Sequence, residues 1–189
     1  MKDPELVERI AAAEPDRAAI LRSFPAEVVP VSTPFYRTVR VVDLDVETPV
    51  GRIRYRYGLE GERVVALGDK PEAVQGLNER ERLSLGRDAV RAYVRFFFDS
   101  VGGRKMKVVE NAEEIPWRPR TAEDTRPAPA KPDVKPIVVE PSPEGGYRAV
   151  ACATWSEMLV EVTLEVSSSG EIRPVAQRLL ADRLEIVPA

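Results

Sequence analysis

The chain has 189 residues and a formal net charge of −3, a length that favours one domain with a single core. It contains no histidine, which excludes Ser-His-Asp and Cys-His nucleophile systems, HExxH zinc sites and facial triads within the chain. We therefore predict no catalytic residue, no metal site and no cofactor. The single cysteine and the lack of a run of about 18 apolar residues lead us to expect a cytoplasmic protein without a membrane span.

Residues 1–30 have the pattern of a helical N-terminal segment. Asp3 is a good N-cap, and Pro4 suits the first helical position. Apolar residues then recur at helical spacing until Pro15 interrupts them. We expect two short helices, or one helix kinked at Pro15, packed on the body of the protein. A free interaction arm is the alternative.

Residues 31–115 are predicted to form half of the globular unit, beginning with a β-hairpin. Apolar and charged residues alternate on both sides of a turn at residues 48–51. One register brings acids opposite arginines: Glu47 with Arg52, Asp45 with Arg54, and Asp43 with Arg56. The same register gathers the apolar residues on the other face, and a slip by one residue would mix the two faces. The turn itself also suits a three-residue loop with a bulge.

Arg52, Arg54 and Arg56 also fit a stripe that binds RNA phosphates. The facing carboxylates lie within cross-strand reach, so we favour charge pairing on a solvated sheet face over RNA binding. The same pairing argues against the three carboxylates as metal ligands or acid-base groups.

After a further strand at residues 63–67 and a polar connection at 68–82, a long helix is predicted over residues 83–101. Its apolar stripe consists of Val90, Val94, Phe97 and Val101. Ser84 suits the cap, and the glycines at 102 and 103 end the helix. We expect the stripe to be buried against a sheet and to be followed by a strand at residues 105–110.

Residues 116–136 are rich in proline and carry no core-forming pattern, so we predict a linker anchored at its start by Trp117. Residues 137–189 alternate as a β-meander that completes the same globular unit. Pro174 cannot donate to a ladder, so its strand is expected at an edge or with a bulge. Cys152 is expected to be a buried apolar side chain rather than a reactive thiol.

The sequence around the predicted central helix is similar to that of other proteins. The residues concerned are Leu83, Leu85, the run Tyr93-Val94-Arg95-Phe96-Phe97, Gly102 and the apolar strand that ends in Glu110. In them the chain resembles a group of uncharacterised bacterial proteins with a Leu-x-Leu…Tyr-hydrophobic-Arg-Phe-Phe helix and a C-terminal β-meander. The resemblance covers roughly half of the chain and implies no function. The proline-rich insert departs from the group's pattern.

Together the patterns predict an α+β protein, with largely antiparallel sheets packed on one long central helix and a short helical N-terminal segment. The leading functional hypothesis is a non-enzymatic binding or accessory protein that docks on a larger protein partner or self-associates. The alternative is a small-molecule pocket between helix and sheet, either binding or enzymatic. Its predicted polar lining is Tyr55, Tyr57, Tyr93, Arg95 and Asp99. RNA binding through the arginine strand is the least favoured function.

Overall fold

The computed structural model describes residues 3–102, 106–119 and 131–186. Contacts divide the chain into two units, Met1–Arg82 and Leu83–Ala189. Each unit has an antiparallel sheet and at least one packed helix, so the predicted α+β class is confirmed. A single long central helix is not found, because the described residues form mostly sheet, with four α-helices of 9 to 15 residues. None of these helices is long and apolar enough to cross a membrane.

The first unit contains two N-terminal helices, a four-stranded sheet and a third helix. Its helices are α1 (Pro4–Ala13), α2 (Pro15–Ser23) and α3 (Pro71–Glu81), and its strands are β1 (Ala26–Val31), β2 (Arg40–Thr48), β3 (Gly51–Glu60) and β4 (Arg63–Ala66). The strands pair antiparallel in the order β1-β2-β3-β4. The two predicted short helices are confirmed, and Asp3 caps the first by accepting a hydrogen bond from Leu6 N at 3.0 Å.

The predicted hairpin register is confirmed between β2 and β3. The acids and arginines face each other in the three predicted pairs, Glu47 with Arg52, Asp45 with Arg54, and Asp43 with Arg56. Thr48 pairs with Gly51, so the turn is a two-residue loop, Pro49-Val50, rather than a three-residue loop with a bulge. Gly51 has a φ of 127°, a backbone conformation that favours glycine.

Helices cover both faces of the first sheet. The inner face packs against α1 and α2, and its buried core includes Ile10, Leu21, Val28, Leu44 and Tyr57. On the outer face, a Cβ at Gly58 would lie 2.6 Å from Leu77 Cδ1 of α3, so the missing side chain at position 58 gives Leu77 room to pack on β3. A buried hydrogen bond from Tyr36 Oη to Asn78 Oδ1, 2.7 Å long, ties α3 to the loop before β2.

Helix α3 lies where the sequence pattern predicted an irregular connection. Its signals are Pro71 at the first helical position, Glu72 in the first turn, and buried Val74 and Leu77 three residues apart. The helix was not predicted because Gly76 has a low helix propensity and because only two large apolar residues mark its buried face.

The second unit places one helix on a five-stranded antiparallel sheet. Helix α4 (Arg87–Val101) is followed by β5 (Met106–Val109), β6 (Val138–Pro141), β7 (Tyr147–Trp155), β8 (Met158–Val166) and β9 (Ile172–Ala181). The order is β5-β7-β8-β9, and β6 also pairs with β7. Pro174 lies in the edge strand β9 beside a register shift, as its missing N–H requires.

Helix α4 begins later than predicted, with Gly86 rather than Ser84 as its N-cap. Leu85 N donates to Ser168 O at 2.8 Å, and this bond holds the chain extended before the helix starts. The buried positions of α4 are Val90, Tyr93, Val94, Phe96 and Ser100. Phe97 and Val101 are only half-buried, so the predicted burial of the stripe is wrong at these two positions, and Phe96 is buried instead of Phe97.

The face of the second sheet opposite α4 carries a small core of its own. Cys152 is buried there together with Val109, Leu159 and Leu184, as expected for an apolar role. Trp117 packs on this cluster, and its Nε1 donates to Ala112 O at 3.0 Å, so it anchors the start of the predicted linker. Residues 120–130 of that linker lie outside the described residues.

Replacing Phe96 by Ala is expected to lower the free energy of unfolding of the second unit by about 3–5 kcal/mol, the usual range for a buried aromatic side chain. Phe97→Ala is the matched control on the same helix and should lower it less. Both tryptophans, Trp117 and Trp155, lie in this unit, so urea unfolding followed by tryptophan fluorescence measures the unit separately. A larger loss for Phe97→Ala would contradict the orientation of α4.

Candidate functional site

The outer face of the β2–β3 hairpin carries three carboxylate–guanidinium pairs. Arg54 donates from Nε and Nη2 to the two oxygens of Asp45 at 2.6 and 2.8 Å. Arg56 makes the same bidentate contact with Asp43 at 2.7 and 2.9 Å. The hydrogen bond from Arg54 lowers the pKa of Asp45 even though burial acts in the opposite direction. These are the strong, charge-assisted kind of hydrogen bond.

The two aspartates of these pairs are buried. The side chains of Asp43 and Asp45 are 7% and 6% exposed, whereas that of Arg54 is 58% exposed. The expected solvated face is therefore wrong for the acids, which lie on a central strand beneath the arginine side chains. A buried carboxylate requires its partner, so the pairing supports a structural role for these arginines.

Two of the five predicted binding residues, Tyr55 and Tyr57, lie in the first unit. Tyr57 is fully buried in the core, and this burial raises the pKa of its hydroxyl. Tyr55 is half-buried, and the guanidinium carbon of Arg17 lies 4.7 Å from its ring centroid, within cation–π distance. Both side chains contribute to the packing of α2 on the sheet.

The other three predicted residues, Tyr93, Arg95 and Asp99, lie on α4 in the second unit. Tyr93 is buried and donates its hydroxyl to Gly170 O at 2.6 Å. Arg95 donates to Glu114 at 2.7 Å, and Asp99 is exposed. Because the five residues divide between two units, neither sheet gathers them into the pocket that the sequence suggested.

Glu110 is the centre of a charge network on the second sheet. It accepts hydrogen bonds from Arg91 Nε at 2.7 Å, from Arg95 Nη1 at 3.1 Å and from the backbone N–H of Ile137 at 3.3 Å. The hydrogen bond from Arg91 is the main reason that the pKa of Glu110 is lowered. The network fastens the beginning of β6 and the end of β5 to α4.

A cavity of about 490 Å³ lies in the first unit beside the start of α1, a volume typical of small-molecule sites. Buried Val28, Val42 and Leu59 form its apolar floor. Arg9 lines it from α1, and Arg40 lines it from β2, where the register places Arg40 opposite Leu59. Sequence reasoning missed this site, because its lining residues come from separate elements of the chain.

The guanidinium of Arg9 is incompletely paired. Its Nη1 lies 3.5 Å from Glu62 Oε2, but Nε and Nη2 are buried and have no hydrogen-bond partner in the described part of the chain. An unpaired buried donor costs about 1–3 kcal/mol, and more when it is charged. The pair with Glu62, whose side chain is 93% exposed, contributes only about 0–1 kcal/mol. A partner for the second edge of Arg9 would therefore be stabilising.

The second unit leaves apolar side chains uncovered at one end of its sheet. Trp155 is 40% exposed and Leu179 is 56% exposed. The register pairs Trp155 with Met158 and Val160 with Leu179, and residues two apart on β8 share a face. Trp155, Met158 and Leu179 therefore project from the same face, and we name these three residues the apolar patch.

Among the described residues, no group of three acids or cysteines is placed to hold a metal ion.

Arg56→Ala is expected to destabilise the first unit by about 1–3 kcal/mol, because it removes the bidentate partner of the buried Asp43 carboxylate and leaves only the ion pair with Arg54 Nε at 3.8 Å. Arg52→Ala is the matched control, since Arg52 and Glu47 are 58% and 66% exposed and such a pair contributes about 0–1 kcal/mol. Arg52 also lies 3.9 Å from buried Asp45, but Asp45 keeps its bidentate contact with Arg54 in this variant. Hydrogen exchange of the β2 amides measures both effects. Equal losses in the two variants would show that burial of the acid does not determine the energy of the pair.

The lowered pKa of Glu110 predicts a pH-dependent contribution to stability. The ionised carboxylate stabilises the folded unit above the unfolded pKa of about 4.3, and this stabilisation is lost as the pH falls through the folded pKa. Glu110→Gln should lower the stability of the second unit at pH 7 by about 1–3 kcal/mol, and the difference should shrink below about pH 4. Thermal unfolding followed by tryptophan fluorescence measures it.

Glu157→Gln is the control for this measurement, because Glu157 is an exposed acid of the same unit and its replacement should change little at either pH. A difference between Glu110→Gln and the wild type that stays constant from neutral to acid pH would contradict the assigned role of the charge.

Comparison with known proteins gives no relative for this chain. No protein-family model matches it. No curated protein matches it, and no solved structure does. The resemblance to uncharacterised bacterial proteins therefore stays a prediction.

Proposed function

We propose that this protein is a non-enzymatic binding protein that docks on a larger protein partner through the apolar patch of its second unit. The observation that carries this proposal is the exposure of Trp155 and Leu179 on one face of the second sheet. Clustered apolar side chains at a surface mark interaction sites, and tryptophan and methionine are enriched in the centres of protein interfaces. The single buried cysteine fits a reducing cytoplasm as its location.

The edge strand β9 supports docking on the face of the sheet rather than addition of a strand. Pro174 has no N–H to donate, and two register shifts interrupt the pairing of β9 with β8. Exposed Arg173 and Arg178 add charge to the same strand. Proline, bulges and charges are the means by which proteins prevent pairing at sheet edges. The partner is therefore expected to cover side chains instead of extending the ladder.

The size of the patch favours a larger partner over a second copy. A stable symmetric dimer buries about 800 Å² on each subunit, and three side chains supply only a small part of that area. A larger protein can contact the patch and continue onto the surrounding surface. The patch then acts as the apolar centre of the interface, surrounded by a polar rim.

RNA binding is the less supported function. A phosphate group at Arg54 or Arg56 would have to displace a bidentate contact with a buried aspartate. A small-molecule function has support of a different kind, from the cavity beside α1.

Affinity purification of the tagged protein from its native cells, followed by mass spectrometry, is expected to recover one stoichiometric protein partner. Leu179→Asp should lower this recovery at least tenfold, because it buries an unpaired charge in the interface. Val50→Asp is the matched control, since Val50 is 93% exposed at the hairpin turn of the first unit, and its partner recovery should equal that of the wild type.

Equal recovery with both variants would contradict docking through the apolar patch. Light scattering of the purified protein tests the second-copy alternative. A dimer that Leu179→Asp dissociates would identify another copy of the chain as the occupant and overturn the larger partner. RNA that co-purifies with the wild type, and is lost in Arg54→Glu, would favour the nucleic-acid function instead.

A further inference from the structure

We infer that the cavity beside α1 binds a small organic monocarboxylate, and that the guanidinium of Arg9 holds its carboxylate group. The site lies wholly within the first unit and goes beyond the proposed docking function. Three observations carry it: the unpaired edge of Arg9, the adjoining cavity, and the composition of the cavity wall.

The chain itself shows what the unpaired edge of Arg9 can bind. Arg54 and Arg56 use Nε and Nη2 to hold the two oxygens of an aspartate, at 2.6 to 2.9 Å. Arg9 has the same two atoms without a partner among the described residues. The two N–H groups of this edge are parallel and match the spacing of carboxylate oxygens. A carboxylate is therefore the group that satisfies both donors at once.

Ligand binding at this edge requires the Arg9 side chain to move. Nε and Nη2 are buried, while the Arg9 side chain as a whole is 29% exposed and lines the cavity. The ion pair that holds the guanidinium joins it to Glu62, whose side chain is almost fully exposed, and such pairs break readily. The bound state therefore needs a rotation about the side-chain torsions of Arg9 that turns the unpaired edge toward the cavity.

The remaining wall of the cavity defines the rest of the ligand. Val28, Val42 and Leu59 offer an apolar floor to a short hydrocarbon body. The acids of the lining, Asp3, Glu5 and Glu62, outnumber the guanidiniums of Arg9 and Arg40 by one. A wall with this balance disfavours phosphates and other multiply charged anions more than a singly charged one, so the ligand class that best fits the Arg9 edge is a singly charged carboxylate with an apolar body.

Titration calorimetry of the full-length chain with octanoate tests the inference, with octan-1-ol as a probe of the same length that lacks the carboxylate. Octanoate should bind at least tenfold more tightly than octan-1-ol. Arg9→Gln should weaken octanoate binding tenfold or more, because it removes a charge-assisted bidentate contact, and should leave octan-1-ol unchanged. Arg9→Lys keeps the charge without the fork and should give an intermediate loss.

Arg22→Gln is the matched control. Arg22 is an arginine of the neighbouring helix α2, paired with Glu8 at the surface, and its replacement should leave octanoate affinity unchanged. Circular dichroism verifies the fold of each variant. Should Arg9→Gln fail to fold, Arg9→Lys and the comparison of the two probes on the wild type decide the question.

Several results would overturn the inference. The first is the absence of saturable octanoate binding to the wild type up to the low millimolar range. The second is equal affinity of octanoate for the wild type and Arg9→Gln. Displacement of octanoate by equimolar inorganic phosphate would overturn the assigned ligand class.

Discussion

The carboxylates of Asp43 and Asp45 must each face an arginine, and the organisation of the first unit follows from this requirement. Both lie on the central strand β2 with side chains only 7% and 6% exposed, and a buried carboxylate without a partner is strongly unfavourable. Successive side chains of a strand point to opposite faces. The register that pairs the charged residues on the outer face therefore also determines which residues face each other on the inner face. Val42 and Leu44 are thereby placed opposite Tyr57 and Tyr55, and the inner face that α1 and α2 cover is complete.

Arginine has two different roles in this unit. They differ in whether the N–H donors of the guanidinium have hydrogen-bond partners. For Arg54 and Arg56, the neighbouring strand β2 supplies a carboxylate directly opposite in the register. For Arg9, on a helix, no residue of the described chain meets the corresponding edge. A guanidinium whose donors are all satisfied specifies a register, whereas one with unsatisfied donors beside a cavity is suited to recognise a ligand.

The sequence was most informative where two independent patterns agreed. Hydrophobic alternation and charge complementarity selected one register for the hairpin, and Asp3, Pro4 and Pro15 located the N-terminal helices. Where a single weak pattern was present, the prediction failed. Gly76 interrupts the short apolar face of α3, and the helical period of α4 alone could not decide between Phe96 and Phe97, because the position of the sheet determines which side is covered.

The candidate sites were harder to predict than the fold for a physical reason. The cavity brings together Arg9, Leu59 and Glu62 from separate elements, and no local period relates such residues. The predicted lining rested on polar aromatic residues, but Tyr57 and Tyr93 are fully buried in two different units. The boundary between residues 82 and 83 has no change in composition to mark it. The cavity lining, the burial of the tyrosines and the boundary between the units depend on how the elements pack in three dimensions, and residue type alone does not predict them.

The burial of Cys152 makes the second unit separately observable in solution. Its thiol is the only one in the chain and lies in the small core beside Val109 and Leu159. A thiol reagent reaches it only through molecules in which this part of the sheet has opened, so the alkylation rate reports the opening equilibrium of that region. The first unit contains no cysteine and contributes nothing to the signal. The alkylation rate therefore measures local opening of the second unit in the unlabelled, full-length protein, without a contribution from the first unit.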